Sequence, residues 1–445
     1  MRNSTLNMER ALPLIVLTFV DVLGLTVILP LLHLYAAAYQ ATPLQIGLTA
    51  AAFPLAQLIG VPVMGALSDR FGRKPLLLIS QASTFVSFLM LAAATSLNMV
   101  ILSRVVDGIL GANYATAQAA ITDLTDDHNR AQGLGLTGAA FGLGFLLGPA
   151  IALFSLEISD SLSMPALVAA AYSLLSILLT WFSFRETLPP ERRVSRVQLS
   201  PVLFSGLRML RLPSVRPLVG LMFAQQFVFF AFESLLGLFL LSRLGLLGQG
   251  SSLVFIYVGV MLVMVQGRLI GRWSTKYGVQ RVMQIALAVL AVGLLLVAAT
   301  PDAPHPFYIE RITQTELRDL APTSAEAVIG TIPIPLPTEA NRGLSGLLWM
   351  AVALIPLTLG AGLIRPAINT LLVRQVSDAD RGAVLGVSSS FVSLADASAP
   401  LVGGALFQAY GPSAPFWIGG AIMAALWLLS LWMGRQHSPV ADSAS

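Results

Sequence analysis

The chain has 445 residues, 56% of them hydrophobic and only 11% charged, and its mean hydropathy is +0.79. Water-soluble domains carry about 25% charged residues, so a surface that meets water on every side is excluded. The net charge of +4 and pI near 9.6 do not call for nucleic acid, because cytoplasmic loops of membrane proteins are rich in Lys and Arg. The absence of cysteine excludes disulfides and thiolate metal sites.

Apolar stretches longer than about 18 residues recur along the chain, each long enough to cross a bilayer as a helix. Twelve spans are predicted: 11–38, 44–67, 75–95, 98–122, 131–154, 164–184, 216–241, 250–270, 282–300, 346–373, 382–409 and 413–434. Barrel strands would alternate polar and apolar residues, and these do not. Their frequent Gly, Ala and Ser suit close helix packing in lipid. No cleavable signal peptide is expected, since MRNSTLNMER runs straight into a span too long for a signal core. The expected class is an all-α polytopic membrane protein.

Span one holds Asp21 and His33; a lone histidine near a helix end is given no role. Between spans two and three, GALSDRFGRKPLL gathers Asp69, Arg70, Arg73 and Lys74 within a frame of Gly65 and Gly72. The glycines permit a tight turn. Asp69 is then free to meet a helix N-terminus or an arginine, in contacts that hold one conformation and break in another. The cluster is read as a cytoplasmic latch. Span four contains Arg104, a cation that costs about 2.5–3.5 kcal/mol at this depth and should face the interior with a partner. Asp107 lies three residues on, on the same helix face; it either neutralises Arg104 or itself carries a proton. In span five, Gly135, Gly144 and Gly148 allow close packing, and Pro149 permits a bend.

A basic linker, 185–215, divides the chain into an N-terminal bundle, 1–184, and a C-terminal bundle, 216–434, followed by a tail, 435–445. The halves repeat: Gly65 and Gly72 match Gly271 and Gly278, while Arg130 and Pro149 match Arg381 and Pro400 at a larger offset. The change of offset locates an insertion at 301–345, either a small functional element or a mobile one. Expected outer loops hold only Arg243, Arg311, Arg318 and Arg342 among the basic residues, which places both termini in the cytoplasm.

The second half adds three charges within spans, Glu233, Arg365 and Asp396. Each reads as functional at that depth, although Arg365 and Asp396 could simply pair. Glu233 stands among Phe227, Phe229, Phe230, Phe232 and Phe239, a setting that favours the neutral carboxyl unless those rings face lipid. A carboxyl that takes and releases a proton is what a coupling site requires. There is no G-x-x-x-x-G-K-[ST], H-E-x-x-H or nucleophile elbow. No enzyme activity, cofactor or metal is expected.

The residues Gly65, Asp69, Arg70, Gly72, Arg73 and Lys74 resemble the pattern G-x-x-x-D-R-x-G-R-K of the major facilitator superfamily. Arg104 and Gly108 resemble its R-x-x-x-G element, with Asp107 where the family usually has Gln. Gly135, Gly144, Gly148 and Pro149 resemble the antiporter pattern G-x8-G-x3-G-P-x2-G-G, with Ala152 and Leu153 replacing its last glycines. Leu23, Gly24, Pro30 and Asp21 resemble the start of twelve-span drug:proton antiporters of the tetracycline-efflux-like branch. Span nine lacks the acid that tetracycline exporters carry there, which argues against tetracycline itself. The resemblance implies two pseudo-symmetric six-helix bundles around a midmembrane cavity, working by alternating access. It further implies a monomer in a bacterial-type cytoplasmic membrane, with protons and a small lipophilic or amphiphilic compound as partners and no nucleic acid. The alternatives are a proton-coupled nutrient importer, a lipid-moving facilitator, and a receptor or scaffold that uses the 301–345 loop.

Overall fold

A computed structural model describes residues 8–125, 130–159, 161–193, 208–320, 333–377 and 380–436. The middle of the linker, part of the insertion and the last tail residues lie outside them. Twelve membrane helices are present among the described residues. Helix α1 is Met8–Ile28, prolonged by a 3-10 turn, Leu29–Leu31, and a short helix, Leu32–Ala37. It is followed by α2 (Pro43–Phe71), α3 (Arg73–Ala92), α4 (in two segments, Leu97–Leu110 and Asn113–Leu124), α5 (Arg130–Ile158) and α6 (Ser163–Ser183). The second half holds α7 (Arg216–Leu244), α8 (Gly248–Met264, continued through a π turn into Ile270–Tyr277), α9 (Val279–Ala298), α10 (Ser345–Arg374), α11 (Arg381–Tyr410) and α12 (Ala414–Gln436).

Helix α4 departs from expectation, because the single span predicted at 98–122 is interrupted at Gly111 and Ala112. Ten of the helices are long and apolar enough among the described residues to cross a membrane; α5 adds the apolar stretch Gly142–Ile158. Large apolar side chains such as Ile59, Phe154, Phe182, Leu348 and Trp432 stand exposed along them, as a lipid-facing surface requires.

Local chemistry sets the ends. Thr42 begins α2 with a capping box: its hydroxyl accepts from Gln45 N, and Gln45 Oε1 accepts from Thr42 N, at 3.4 and 2.8 Å. Gly72 ends α2 and starts α3 with φ of 104°, and Gly278 does the same between α8 and α9 with φ of 80°. Only glycine adopts that backbone without strain. The two glycines matched between the halves therefore make the same turn.

Packing repeats as well. In the first half α1 packs on α4, α5 and α6, α2 on α4, and α3 on α4 and α6. Adding six to every number gives the second half: α7 on α10, α11 and α12, α8 on α10, and α9 on α10 and α12. The principal contacts between halves are α2 with α11 and α5 with α8. This is the architecture of two pseudo-symmetric six-helix bundles.

The described part of the insertion is folded. Helix Glu310–Asp319 buries Thr313 and Leu317, and Tyr308 and Ile334 are buried beside it. His305 N donates to Leu244 O at the end of α7, 3.1 Å. Leu162 N, in the turn before α6, donates to Leu320 O at 3.2 Å, so the insertion reaches across to the first half. Burial holds the His305 imidazole below its ordinary range, and burial raises the Tyr308 phenol, with Glu310, Glu339 and Asp302 adding to it. Both groups are therefore uncharged near neutral pH.

Candidate functional site

The break in α4 makes a polar centre in the first half. Gly111 ends the first segment, where a Cβ would collide with the Asp107 carbonyl oxygen. Backbone groups released by the break need partners, since none is free in lipid. Gln57 Nε2 of α2 donates to Gly111 O at 3.0 Å, and Ala112 N donates to Ser80 Oγ of α3 at 2.7 Å. The second segment opens with Asn113, which is 8% exposed.

From Asn113 a continuous chain of polar contacts runs to Arg104. Asn113 Nδ2 donates to Asp21 Oδ1 at 3.0 Å and to Thr84 Oγ1 at 3.3 Å. Thr84 Oγ1 donates to Asp107 Oδ1 at 2.7 Å. Asp107 Oδ2 lies 3.7 Å from Arg104 Nη1, the i,i+3 pair expected from spacing. Arg104 Nη2 also donates to Ser87 Oγ at 2.8 Å, and its guanidinium lies 5.4 Å from the centre of the Phe88 ring. Arg104 and Asp107 are almost fully buried, Asp21 half-buried. The structure thus joins Asp21, Arg104 and Asp107 through two residues not foreseen, Asn113 and Thr84.

In the second half, Asp396 of α11 accepts from Gln226 Nε2 of α7 at 2.7 Å. Glu233 and Arg365 lie within electrostatic reach of it and of each other, but no ion pair joins Arg365 to Asp396 among the described residues. The pairing expected as an alternative is replaced by Gln226. Arg365 is exposed, and Tyr114 of α4 lies within its electrostatic reach from the other half. Of the phenylalanines around Glu233, Phe232 and Phe239 are buried against Phe416, with ring centroids 6.1 and 4.6 Å away. Those two rings do not face lipid. Phe223 stacks with Phe227 and meets Phe391 edge-on, at 6.0 and 6.2 Å, an apolar platform one turn from Gln226.

The 65–74 cluster lies apart from both centres. Arg73 bridges Asp69 at 2.6 Å and Asp123, at the end of α4, at 2.8 Å. Glu186 accepts from the Arg73 and Lys74 amides at 2.9 and 3.1 Å, satisfying the start of α3. Lys74 Nζ donates to the Trp181 and Phe184 carbonyls, 2.8 Å each, at the end of α6. Arg70 instead lies over Phe71. These contacts stay within the first half and the start of the linker, where Glu186 lies. In α5, Gly144 and Gly148 let the helix close on Val22 and Thr26 of α1, and Thr26 Oγ1 donates to Gly144 O at 2.9 Å. Gly135 lies on the same helix, outside the described side chains.

The halves meet at the ends away from residues 69–74. A Cβ on Gly47 of α2 would strike the Pro400 carbonyl of α11, one on Gly404 would come within 2.7 Å of Pro43 O, and Leu44 N donates to Gln408 Oε1 at 3.2 Å. Gly237 of α7 receives the His33 ring, so His33 is an interface residue. Toward the opposite ends, a Cβ added to Gly65, Gly267 or Gly386 would meet nothing within 4 Å. The named contacts between halves thus gather at the ends away from the 65–74 loop, while Tyr114 and Arg365 reach each other electrostatically from opposite halves.

Some of these residues carried a sequence signal. Asn113, Gln225 and Gln226 are amides inside apolar spans, costly unless bonded. Thr84 and Ser80 carried none, because small hydroxyls are common in membrane helices.

A chain of twelve helices with internal twofold repetition and charged residues at mid-depth in both repeats has the form of a secondary transporter. The sequence matches the Major Facilitator Superfamily family model over residues 14–309 and 327–444, and the chain belongs to that superfamily. It is 30% identical to the class C tetracycline resistance protein of Escherichia coli over 389 residues, 86% of this chain and 85% of that one. It is 24% identical to multidrug resistance protein 2 of Bacillus subtilis, covering 98% of this chain and 99% of the other. Among solved structures it superposes on the human organic anion transporter MFSD10 with TM-score 0.64 at 21% identity, covering 95% and 99% of the two chains. With a D-xylose-proton symporter the TM-score is 0.68 at 18% identity, covering 96% and 97%. The protein is an integral membrane protein and a secondary active transporter.

Proposed function

We propose that this transporter exports a small lipophilic or amphiphilic compound in exchange for protons, by alternating access. The observation that carries this reading is the pair of carboxylate centres, one in each half: Asp21 with Asp107, and Glu233 with Asp396. Buried carboxyls that titrate in one state and are shielded in the other couple a proton to a conformational change. One proton crossing 100 mV releases about 2.3 kcal/mol, enough for roughly 50-fold accumulation. The Phe223, Phe227 and Phe391 platform suits an apolar substrate face. Similarity to tetracycline and multidrug resistance proteins favours export. Helix α9 has no acidic residue, which disfavours tetracycline itself.

In this reading the working units are 1–184 and 216–434, joined by 185–215, in a monomer of the bacterial-type cytoplasmic membrane with both termini cytoplasmic. Gly65, Asp69, Arg70, Gly72, Arg73 and Lys74 serve as the latch, and Gly135, Gly144, Gly148 and Pro149 as the pivot of α5. The test is a compound screen for substrate-induced proton release in everted vesicles. The second reading, proton-coupled import, rests on the fold shared with the xylose-proton symporter, and proton uptake on adding substrate would favour it.

A further inference from the structure

The inner segment of α4, Asn113–Leu124, ties two sites together that are otherwise separate. At one end Asn113 donates to Asp21. At the other, Asp123 accepts from Arg73, which also holds Asp69 and donates to Ser68 Oγ at 3.1 Å. Ten residues of α-helix span about 15 Å and behave as one stiff element. The segment is separated from the rest of α4 by the break at Gly111 and Ala112, whose backbone groups are held by Gln57 and Ser80 rather than by the helix ladder. Ends fixed to two sites, with a break behind, are the makings of a lever.

We propose that Asn113–Leu124 is a coupling rod: Asn113 senses the ionisation of Asp21, and Asp123 delivers the result to the 65–74 loop. Ionised Asp21 accepts from Asn113 Nδ2. A protonated carboxyl is instead a donor, and Asn113 Oδ1 is a buried acceptor with no partner among the described residues. Turning the amide over lets Oδ1 accept the new O–H and withdraws Nδ2 from both Asp21 and Thr84. An amide carries both a donor and an acceptor, so Asn113 has a bonded arrangement for each state of the acid. The change falls on the first residue of the segment, and a stiff helix passes it to Asp123. Arg73 then shifts its hold on Asp69, whose side chain is half exposed and available to another partner. Tyr114, next to Asn113, carries the same motion to Arg365 in the other half.

The groups around Asp21 are few. Asp107 is within electrostatic reach, with Arg104 behind it, both from α4. Tyr172 of α6 lies one turn along α1, its Cβ against Gly24. Helix α5 has ionisable residues only near its ends, Arg130 and Glu157, and α3 only at its start, Arg73 and Lys74. The role assigned to Asn113 is positional, and it rests on the proposed proton coupling.

The test follows the separation of the halves without substrate. The protein has no cysteine, so Phe182→Cys on α6 and Gly386→Cys on α11 report that distance once spin-labelled. The doubly labelled parent should favour the open arrangement at about pH 9 and lose it toward about pH 5, by at most about tenfold per pH unit for one titrating group. Asn113→Ala and Asp123→Asn should each flatten this response, and the double variant should be no flatter than either single one. Asp123→Glu, which keeps the carboxylate, should restore it. Asp123 is only partly buried, so its variants report even if Asn113→Ala fails to fold. A full pH response in Asp123→Asn, or additive losses in the double variant, would overturn the rod and leave proton coupling standing. A parent without any pH response, unchanged by Asp21→Asn, would overturn both the rod and Asp21 as the proton site. Export itself is judged separately by the vesicle assay.

Discussion

Tyr114 on α4 and Arg365 on α10 are the same position in the two repeats, 251 residues apart like Arg130 and Arg381, and they lie within electrostatic reach of each other from opposite halves. A cation exposed at this depth, with no ion-pair partner among the described residues, is costly unless it acts on something. Its field reaches Glu233 and Asp396. Arg365→Gln should therefore abolish substrate-induced proton release, Arg365→Lys should retain part of it, and Tyr114→Phe should reduce it only a few-fold. Release at the parent level from Arg365→Gln would remove Arg365 from the coupling machinery.

In the proposed mechanism Glu233 and Asp21 are the two candidates for the coupling carboxylate. Glu233→Gln mimics a permanently protonated acid, so binding should persist while proton-driven accumulation stops. Proton release by purified protein, compared for the parent, Glu233→Gln and Asp21→Asn, separates them. Loss in Asp21→Asn alone would assign coupling to the first half.

At the 65–74 loop, Asp69→Asn should slow transport strongly with little change in substrate binding, because its contact with Arg73 is made apart from both carboxylate centres. Arg73 is nearly buried and bridges two carboxylates, so Arg73→Gln should in addition cost about 1.5–3 kcal/mol of stability. Thermal unfolding measures the second effect and vesicle uptake the first. Equal transport by parent and Asp69→Asn would reduce the cluster to a topological signal.

Among the described glycines between the halves, Gly47 leaves the least room for a Cβ, which would strike the Pro400 carbonyl. Gly47→Val should push α2 from α11 and shift the population away from the arrangement described. A labelled pair across the ends of α2 and α11 beside Gly47 and Pro400 would lengthen, and transport would fall. An unchanged distance would mean that the closure at these ends does not depend on this contact.

Phe307 in the insertion is 87% exposed. With the expected orientation, Phe307→Cys should react with an impermeant thiol reagent added to intact cells. Reaction only after permeabilisation would invert the topology.

Much of this architecture is legible in the residues. Continuous apolar stretches announce the helices, and Gly72 and Gly278 announce the repeat because one backbone angle admits only glycine. Arg104 and Asp107 are legible as partners because helix geometry puts i and i+3 together. The break in α4 is not: GANYAT reads as an ordinary small-residue stretch in a chain with 37 glycines, and the side chains that hold the interruption, Gln57 and Ser80, are distant in sequence. The link from Asn113 to Asp21 is hidden for the same reason, since it is made by packing between helices. Gln226 could have been chosen as the partner of Asp396 only by knowing that α7 packs on α11.

The insertion closes on itself at its base, where Gly343 N donates to Pro304 O at 2.9 Å. Chain leaving α9 returns to α10 at nearly the point from which it departed. The base is a closed socket, and the packed residues above it, Tyr308 and Leu317 among them, hold the insertion in place, so added sequence belongs at its exposed tip. A reporter or an epitope joined at the tip of the insertion would stand clear of the membrane helices while the helices beneath kept their register.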